Sequence, residues 1–178
     1  MQIETVIAGF GGQGVLFTGK VLAYAAMADD LEVTWFPSYG PEMRGGTANC
    51  TVIFADEEIG SPQVLSPRTV IAMNQPSLDK YEPLVQKDGF LVVNTSMLNR
   101  SAQRKDVHII EVPGTKIAEE IGDKRLANIV LVGSLVQAAN LFSLQKIEKA
   151  LKKSLEGKNT SLLDMNIQAL QKGADFQS

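Results

Sequence analysis

The stretch Gly9-Phe10-Gly11-Gly12-Gln13-Gly14 fits the pattern Gly-x-Gly-x-x-Gly, and its neighbours decide the fold. Before it, Val6-Ile7-Ala8 is a short apolar run that predicts a buried first strand. After it, apolar residues recur at helical spacing from Val15 to Ala26, which predicts a helix ending near Asp29-Asp30. A glycine turn between a strand and a helix N-terminus offers free backbone N–H groups, so we expect a phosphate-bearing ligand or a partner there.

The rest of the chain alternates predicted strands with predicted helices. Strands are predicted at 32–36, 47–54, 69–73, 90–93 and 108–112; helices are predicted from 76 and from 115, over 126–141, from 143, and over 161–172. This order predicts an α/β fold, a Rossmann-like and mostly parallel sheet with helices on both faces and C-terminal helices appended. The first strand, helix and second strand fit the size of one βαβ unit. We expect a single domain over residues 1–178, frayed from 173 to 178.

Composition limits the chemistry that this chain can perform. Its 178 residues are 44% hydrophobic and 21% charged, which is enough to bury a core without disulfides or metals. The net charge of −3 argues against nucleic acid as the main partner. One cysteine, Cys50, and one histidine, His108, argue against a cysteine-bound cluster or a His-rich metal site on this chain. The N-terminus lacks a signal-peptide pattern and the apolar runs are short, so we expect a cytoplasmic protein with no membrane partner.

The second predicted strand lacks the acidic residue with which an NAD-binding fold holds the adenine ribose. The strand ends in Thr34-Trp35-Phe36-Pro37, whereas Asp29, Asp30 and Glu32 come too early, and no basic residue suits NADP. A free-standing NAD(P)-binding enzyme or sensor domain nevertheless stays open as an alternative. A structural role also stays open, in which the glycines only let the strand and the helix pack closely.

The segment 37–46, Pro-Ser-Tyr-Gly-Pro-Glu-Met-Arg-Gly-Gly, is a loop by composition. Because it follows a strand, we expect it at the carboxyl edge of the sheet, where ligands bind. Arg44 suits bidentate pairing with a phosphate or carboxylate, Gly45-Gly46 permit close backbone approach, and Tyr39 offers a ring and a hydroxyl. The alternative is a solvated crossover in which Arg44 pairs with Glu42 or with nothing.

Three segments together resemble the gamma subunit of 2-oxoacid:ferredoxin oxidoreductases. They are 9–14, the run 37–48, and Ala72-Met73-Asn74-Gln75-Pro76-Ser77, and their order and spacing agree from the first strand to about Leu155. The form Tyr-Gly-Pro-Glu-Met-Arg-Gly-Gly is more similar to the 2-oxoglutarate type than to the pyruvate type.

The resemblance implies a multi-subunit enzyme that decarboxylates a 2-oxoacid on thiamine diphosphate, transfers the acyl group to coenzyme A and reduces ferredoxin through iron–sulfur clusters. It implies that alpha, beta and delta-type subunits are the partners and that they carry the thiamine diphosphate, the magnesium and the clusters. This chain has no Gly-Asp-Gly followed by Asn-Asn, the thiamine signature, and no complete acid/base constellation, so we expect it to be inactive alone.

For this chain the resemblance implies coenzyme A binding and subunit packing, with no tightly bound cofactor. The same segments could instead serve only as protein interface. The expected contact residues are Gly9, Gly11, Gly12, Gln13, Gly14, Ser38, Tyr39, Arg44, Gly45, Gly46 and Asn74.

Overall fold

The computed structural model describes residues 1–38, 47–157 and 160–176. The strands of this part are β1 (Gln2–Phe10), β2 (Glu32–Ser38), β3 (Thr47–Ala55), β4 (Thr69–Ala72), β5 (Phe90–Asn94) and β6 (His108–Val112). The α-helices are α1 (Val15–Met27), α2 (Gln75–Tyr81), α3 (Gly114–Ile121), α4 (Ala127–Ala139), α5 (Leu144–Ser154) and α6 (Thr160–Asp175). Short 3-10 helices cover Glu82–Leu84, Thr95–Met97 and Lys124–Leu126.

The strands form one sheet in the order β2-β3-β1-β4-β5-β6. β3 runs antiparallel to both β1 and β2, and the pairs β1–β4, β4–β5 and β5–β6 are parallel, which confirms the mostly parallel prediction. The prediction of a βαβ unit was wrong in one respect, because β3 lies between β1 and β2. β3 has buried residues on both faces, from Val52 to Ala55, and therefore suits an interior position, whereas β2 is largely exposed and suits the edge.

Helices cover both faces of the sheet, as predicted, but unequally. On one face, α1, α4, α5 and α6 pack on Ile7, Cys50 and Val92 in the larger core. On the other face, the smaller core joins Val6 and Ala8 of the sheet to Leu78 and Tyr81 of α2. The C-terminal helices are appended in sequence yet belong to the larger core, with members such as Ile147, Leu151 and Leu170 that are 1% exposed or less.

Two glycines allow α4 and α6 to pack in close contact. A Cβ built on Gly133 would lie 2.1 Å from the carbonyl oxygen of Leu170, and one on Gly173 would lie 1.9 Å from that of Val130. Ser134 Oγ donates to the carbonyl oxygen of Gly173 at 2.8 Å. The predicted fraying from residue 173 therefore differs from the structure, in which α6 continues to Asp175, because Gly173 is a packing position.

A buried carboxylate anchors the polar stretch 99–106 to the end of α2. Glu82 is 5% exposed and accepts hydrogen bonds from the backbone N–H of Gln103, from the N–H of Arg104 at 3.0 Å and from Arg100 Nη1 at 2.8 Å. Arg104 Nη1 in turn donates to the carbonyl oxygens of Glu82, Pro83 and Val85 at 3.1, 3.3 and 3.2 Å. The stretch is thus held although it contains no strand or helix.

We predict that Glu82→Gln destabilises the protein at neutral pH. Burial raises the pKa of Glu82, but the hydrogen bonds from Gln103, Arg100 and Arg104 outweigh it and hold the pKa below the ordinary value of 4.5. A depressed folded-state pKa means that the stabilisation is present above pH 4.5 and is lost as the pH falls through the folded pKa. Urea unfolding at pH 7 is expected to show a loss of about 2 kcal/mol, which shrinks in acid. The exposed Glu57→Gln is the control, and an equal loss in both variants would contradict this role.

Candidate functional site

A cavity of about 520 Å³ opens at the carboxyl ends of the parallel strands β1, β4 and β5. After β1 the chain turns towards one edge of the sheet, and after β4 it turns towards the other, so the cavity lies at the topological switch point where ligands bind in such sheets. Its walls come from the glycine turn, α3, the 3-10 helix at Lys124–Leu126 and the N-terminus of α4. The lining residues are Phe10, Gly11, Gly12, Gln13, Met73, Asn94, Met97, Thr115, Glu119, Lys124, Arg125, Ala127, Asn128 and Leu131.

The glycine turn has a defined hydrogen-bonded geometry. The Gln13 N–H donates to the carbonyl oxygen of Phe10 at 3.1 Å, and the Phe10 N–H donates to Gln13 Oε1 at 2.6 Å. Gly12 and Gly14 have φ of +91° and +77°, the left-handed region that favours glycine. Gly14 caps α1 without a side-chain hydrogen bond, and the first turn of α1 holds no acidic residue. The partial positive charge of this helix end therefore remains available to an anion.

Gly14 is additionally fixed by a contact from α4. Asn128, 5% exposed, donates from Nδ2 to the carbonyl oxygen of Gly14 at 3.4 Å, and a Cβ on Gly14 would lie 2.3 Å from that nitrogen. At Gly12, by contrast, no atom of the described residues lies within 4 Å of a built Cβ. The two glycines share a positive φ but differ in the space beside them.

This pair predicts unequal effects of alanine. Gly12→Ala carries only the backbone strain, about 1 kcal/mol, whereas Gly14→Ala adds a clash with Asn128 and is expected to lose about 2 to 3 kcal/mol. Thermal unfolding of the two variants beside the wild type measures the difference. Equal losses would show that the Asn128 contact does not constrain the turn.

Gln13 and Asn74 join the turn to the start of α2. Gln13 Oε1 accepts from Asn74 Nδ2 at 3.1 Å, and Asn74 Oδ1 accepts from the Ser77 N–H at 3.0 Å and so caps α2. Asn74 is 1% exposed and is not part of the cavity wall, whereas Gln13 is. Asn74 thus holds Gln13 and the start of α2 in place, and its expected contact with a ligand stays a prediction.

The other residues expected at the site lie in different places. Gly9 borders Gln13 and Met73, and a Cβ there would lie 2.7 Å from Gln13 Oε1, so the position is closely packed. Ser38 ends β2, two strands away from β1. Tyr39, Arg44, Gly45 and Gly46 lie outside the described residues. Thr47, where β3 begins, pairs with Phe10 at the end of β1.

Sequence reasoning did not identify the polar residues on the far wall of the cavity. Asn94, 1% exposed, accepts from the Thr115 N–H at 3.2 Å through Oδ1 and donates to Thr115 Oγ1 at 2.9 Å. Asn94 directly follows the predicted strand 90–93. Because the carboxyl ends of parallel strands lie at one edge of the sheet, this position could have identified Asn94 as a site residue. Glu119, Lys124, Arg125 and Asn128 carry no comparable signal.

The two cations at the rim differ in their partners. Arg125 forms a bidentate pair with Asp123, at 3.0 Å from Nε to Oδ1 and 2.6 Å from Nη2 to Oδ2, and these hydrogen bonds lower the pKa of Asp123. Lys124 forms no ion pair with any residue in the described ranges. The charge of Lys124 also helps to lower the pKa of Asp123, but of the two cations Lys124 is the one that no hydrogen-bonded carboxylate holds.

The same ranges contain neither a metal-binding cluster nor a membrane-spanning helix. No group of three or more His, Cys, Asp or Glu side chains among the described residues could hold a metal ion. None of their helices is long and apolar enough to cross a bilayer.

A comparison with protein families decides the class of this chain. The family described as "Pyruvate ferredoxin/flavodoxin oxidoreductase" matches residues 4–176. The chain belongs to this family. A ketoisovalerate oxidoreductase subunit VorA from Methanothermobacter marburgensis is 37% identical over 98% of the chain, and the chain spans only 36% of that relative. A 2-oxoglutarate synthase subunit KorC from the same organism is 36% identical, over 99% of the chain and 97% of the relative.

Solved structures confirm the fold of this family member. The gamma subunit of a keto/oxoacid ferredoxin oxidoreductase from Geobacter sulfurreducens has a TM-score of 0.82 and 26% identity, over 96% of our chain and 95% of its own. A 2-oxoglutarate:ferredoxin oxidoreductase from Magnetococcus marinus, solved with 2-oxoglutarate, coenzyme A and succinyl-CoA bound, has a TM-score of 0.87 at 23% identity, over 97% of our chain and 30% of its own. The chain is thus of the gamma-subunit type, as its motifs predicted.

Proposed function

We propose that this gamma-type chain is a single-domain subunit of a cytoplasmic 2-oxoacid:ferredoxin oxidoreductase. The complex would oxidatively decarboxylate a 2-oxoacid to an acyl-CoA and pass the electrons to ferredoxin. The chain would contribute coenzyme A binding and subunit packing, while alpha, beta and delta-type partners carry the thiamine diphosphate, magnesium and iron–sulfur clusters. The observation that carries the proposal is the switch-point cavity, which joins a glycine turn to the cation of Lys124.

The cavity suits the two chemical parts of coenzyme A. The phosphates match the amides of Gly11 and Gly12, the N-terminus of α1 and the ammonium group of Lys124. The pantetheine arm contains both amides and methylenes, and the wall likewise contains the polar Asn94 and apolar side chains such as Leu131.

The chain's own residues do not suit the redox centres. Cys50, the only cysteine, is fully buried and donates from Sγ to the carbonyl oxygen of Val15 at 3.3 Å. Burial raises the pKa of this thiol to about 12, although Trp35 and Gly19 lower it in part. A cluster needs several thiolates, so the clusters of the proposed complex belong to other subunits.

Affinity purification of the tagged chain, expressed in its native host, tests the proposal. We expect co-purified subunits that bind thiamine diphosphate and iron–sulfur clusters, together with dye reduction that requires both a 2-oxoacid and coenzyme A. Purification without such subunits would contradict the proposal. The alternative, a free-standing NAD(P) protein, predicts instead that the purified chain binds NADH with roughly micromolar affinity in a fluorescence titration.

We predict that Lys124 matters more than Arg125 for coenzyme A. In the purified complex, Lys124→Ala is expected to raise the KM for coenzyme A about fivefold, because it removes a cation that forms no ion pair within the described ranges. Arg125→Ala is the matched control and should change KM less than twofold, since Asp123 already binds that guanidinium. The reverse order would contradict this assignment.

The 2-oxoglutarate preference stays part of the proposal. The VorA and KorC relatives are 37% and 36% identical, so identity does not separate a branched-chain substrate from 2-oxoglutarate. Comparing kcat/KM for 2-oxoglutarate, ketoisovalerate and pyruvate in the purified complex decides the question.

A further inference from the structure

A second groove, which shares no lining residue with the cavity, lies between α1 and the edge strand β2. It has a volume of about 450 Å³ and is lined mainly by Tyr24, Met27, Leu31, Val33 and Trp35. β2 is the last strand of the sheet and pairs only with β3 among the described strands. An open sheet edge beside an apolar groove is a surface that proteins normally cover or blunt.

The apolar residues of this groove are unusually exposed and yet fixed in place. Met27 is 53% exposed and Trp35 is 38% exposed. The indole of Trp35 lies against α1 at Gly19, where a Cβ would be 2.8 Å from Nε1. An exposed tryptophan that is already held in one orientation loses little side-chain entropy on binding, which is the property of an interface anchor.

Two lysines border the groove without carboxylate partners. Lys20 Nζ and Lys153 Nζ lie 5.3 and 4.5 Å from the centre of the Tyr24 ring. Within the described ranges neither forms an ion pair, although the nearby Lys146 pairs with Asp29. Lys20 and Glu32 are the two charged side chains among the groove's lining residues, and Lys153 at its border adds a further positive charge.

We propose that this groove binds an acidic segment of a partner subunit, one that places a large apolar side chain against Trp35 and carboxylates near Lys20 and Lys153. The proposal rests on the proposed function in one respect, namely that the chain works within a complex. In the VorA relative the matching region is 36% of a longer chain, so such a domain has covalently linked neighbours there. A second copy of this chain fits less well, because a two-fold interface would bring the same lysines together.

Charge reversal in the tagged, natively expressed chain tests the proposal. The variant is Lys20→Glu with Lys153→Glu; the control is Lys105→Glu with Lys172→Glu, which makes the same change in net charge at exposed sites away from the groove. Lys153 and Lys172 both lie in the last turn of their helices, so the cost to the helix is matched. We expect the groove variant to recover about tenfold less of one partner subunit than the wild type, whereas the control recovers the same amount. Carbodiimide cross-linking of the wild-type complex should join Lys20 or Lys153 to a carboxylate of that subunit.

The outcomes separate this inference from the proposed function. If both variants recover the subunits equally and the cross-link is not found, the proposed role of the groove is wrong, whereas the proposed function in a complex still stands. If the wild type recovers no oxidoreductase subunits, the proposed function fails, and a direct titration then decides the groove. Trp35 is the only tryptophan of the chain, so its fluorescence reports the binding of a synthetic Asp-Asp-Phe-Glu-Asp peptide to the groove. A saturable change in Trp35 fluorescence at about 1 mM peptide, abolished by Lys20→Glu/Lys153→Glu, supports the proposed groove. The absence of any change overturns the proposal, as does self-association of the chain that the same variant abolishes.

Discussion

Gly173→Ala is expected to lower the free energy of unfolding by about 3 kcal/mol. The added methyl would lie 1.9 Å from the carbonyl oxygen of Val130, a backbone atom that moves only if α4 and α6 separate. Separation would also weaken the hydrogen bond from Ser134 Oγ to the carbonyl oxygen of Gly173. Urea unfolding followed by circular dichroism measures the loss.

Gly60→Ala is the control for this substitution. In the part of the chain that the structure describes, no atom lies within 4 Å of a Cβ built on Gly60, and its φ is not in the left-handed region. Alanine there should therefore change stability by less than about 0.5 kcal/mol. If Gly173→Ala were as mild as Gly60→Ala, the close packing of α4 against α6 would be contradicted.

Gly12→Asp is expected to weaken coenzyme A binding about tenfold relative to Gly12→Asn. Both side chains have the same size, and both tolerate a positive φ better than other non-glycine residues, so they share the backbone cost. They differ by one negative charge on the cavity wall, beside the turn amides proposed to bind phosphate. Repulsion between charges a few ångströms apart near a protein surface readily reaches about 1.4 kcal/mol, which is a factor of ten.

The KM for coenzyme A in the purified complex is the measurement for this pair. The KM for the 2-oxoacid serves as the internal control and should be the same in both variants, because the proposed thiamine site lies on another subunit. Equal KM values for coenzyme A in Gly12→Asp and Gly12→Asn would remove the glycine turn from the phosphate site.

The parts of the fold that local sequence determines were predicted well. The apolar run 6–8, the glycine turn and the helical spacing after Val15 gave β1 and α1 directly, and alternation gave β3. The position of β3 between β1 and β2 was not predicted, because strand pairing depends on contacts between distant residues. The packing position of Gly173 was not predicted for the same reason, because it depends on contact with Val130, which is distant in sequence.

The residues of the candidate site also differ in how well the sequence predicted them. Gly11, Gly12 and Gln13 were predicted and line the cavity, because one continuous motif carries them. Lys124 and Asn128 follow a turn more than a hundred residues later, and nothing local marks them as cavity residues. The roles expected for Ser38 and Asn74 stay predictions, as do those of Tyr39, Arg44, Gly45 and Gly46.

A photoreactive coenzyme A analogue, cross-linked to the intact complex and mapped by mass spectrometry, tests the central claim most directly. The analogue should be displaced by unlabelled coenzyme A and should mark this chain within 10–13 or 124–131, the two segments that face each other across the cavity. Displaceable labelling found only on the other subunits would contradict the claim that this chain binds coenzyme A.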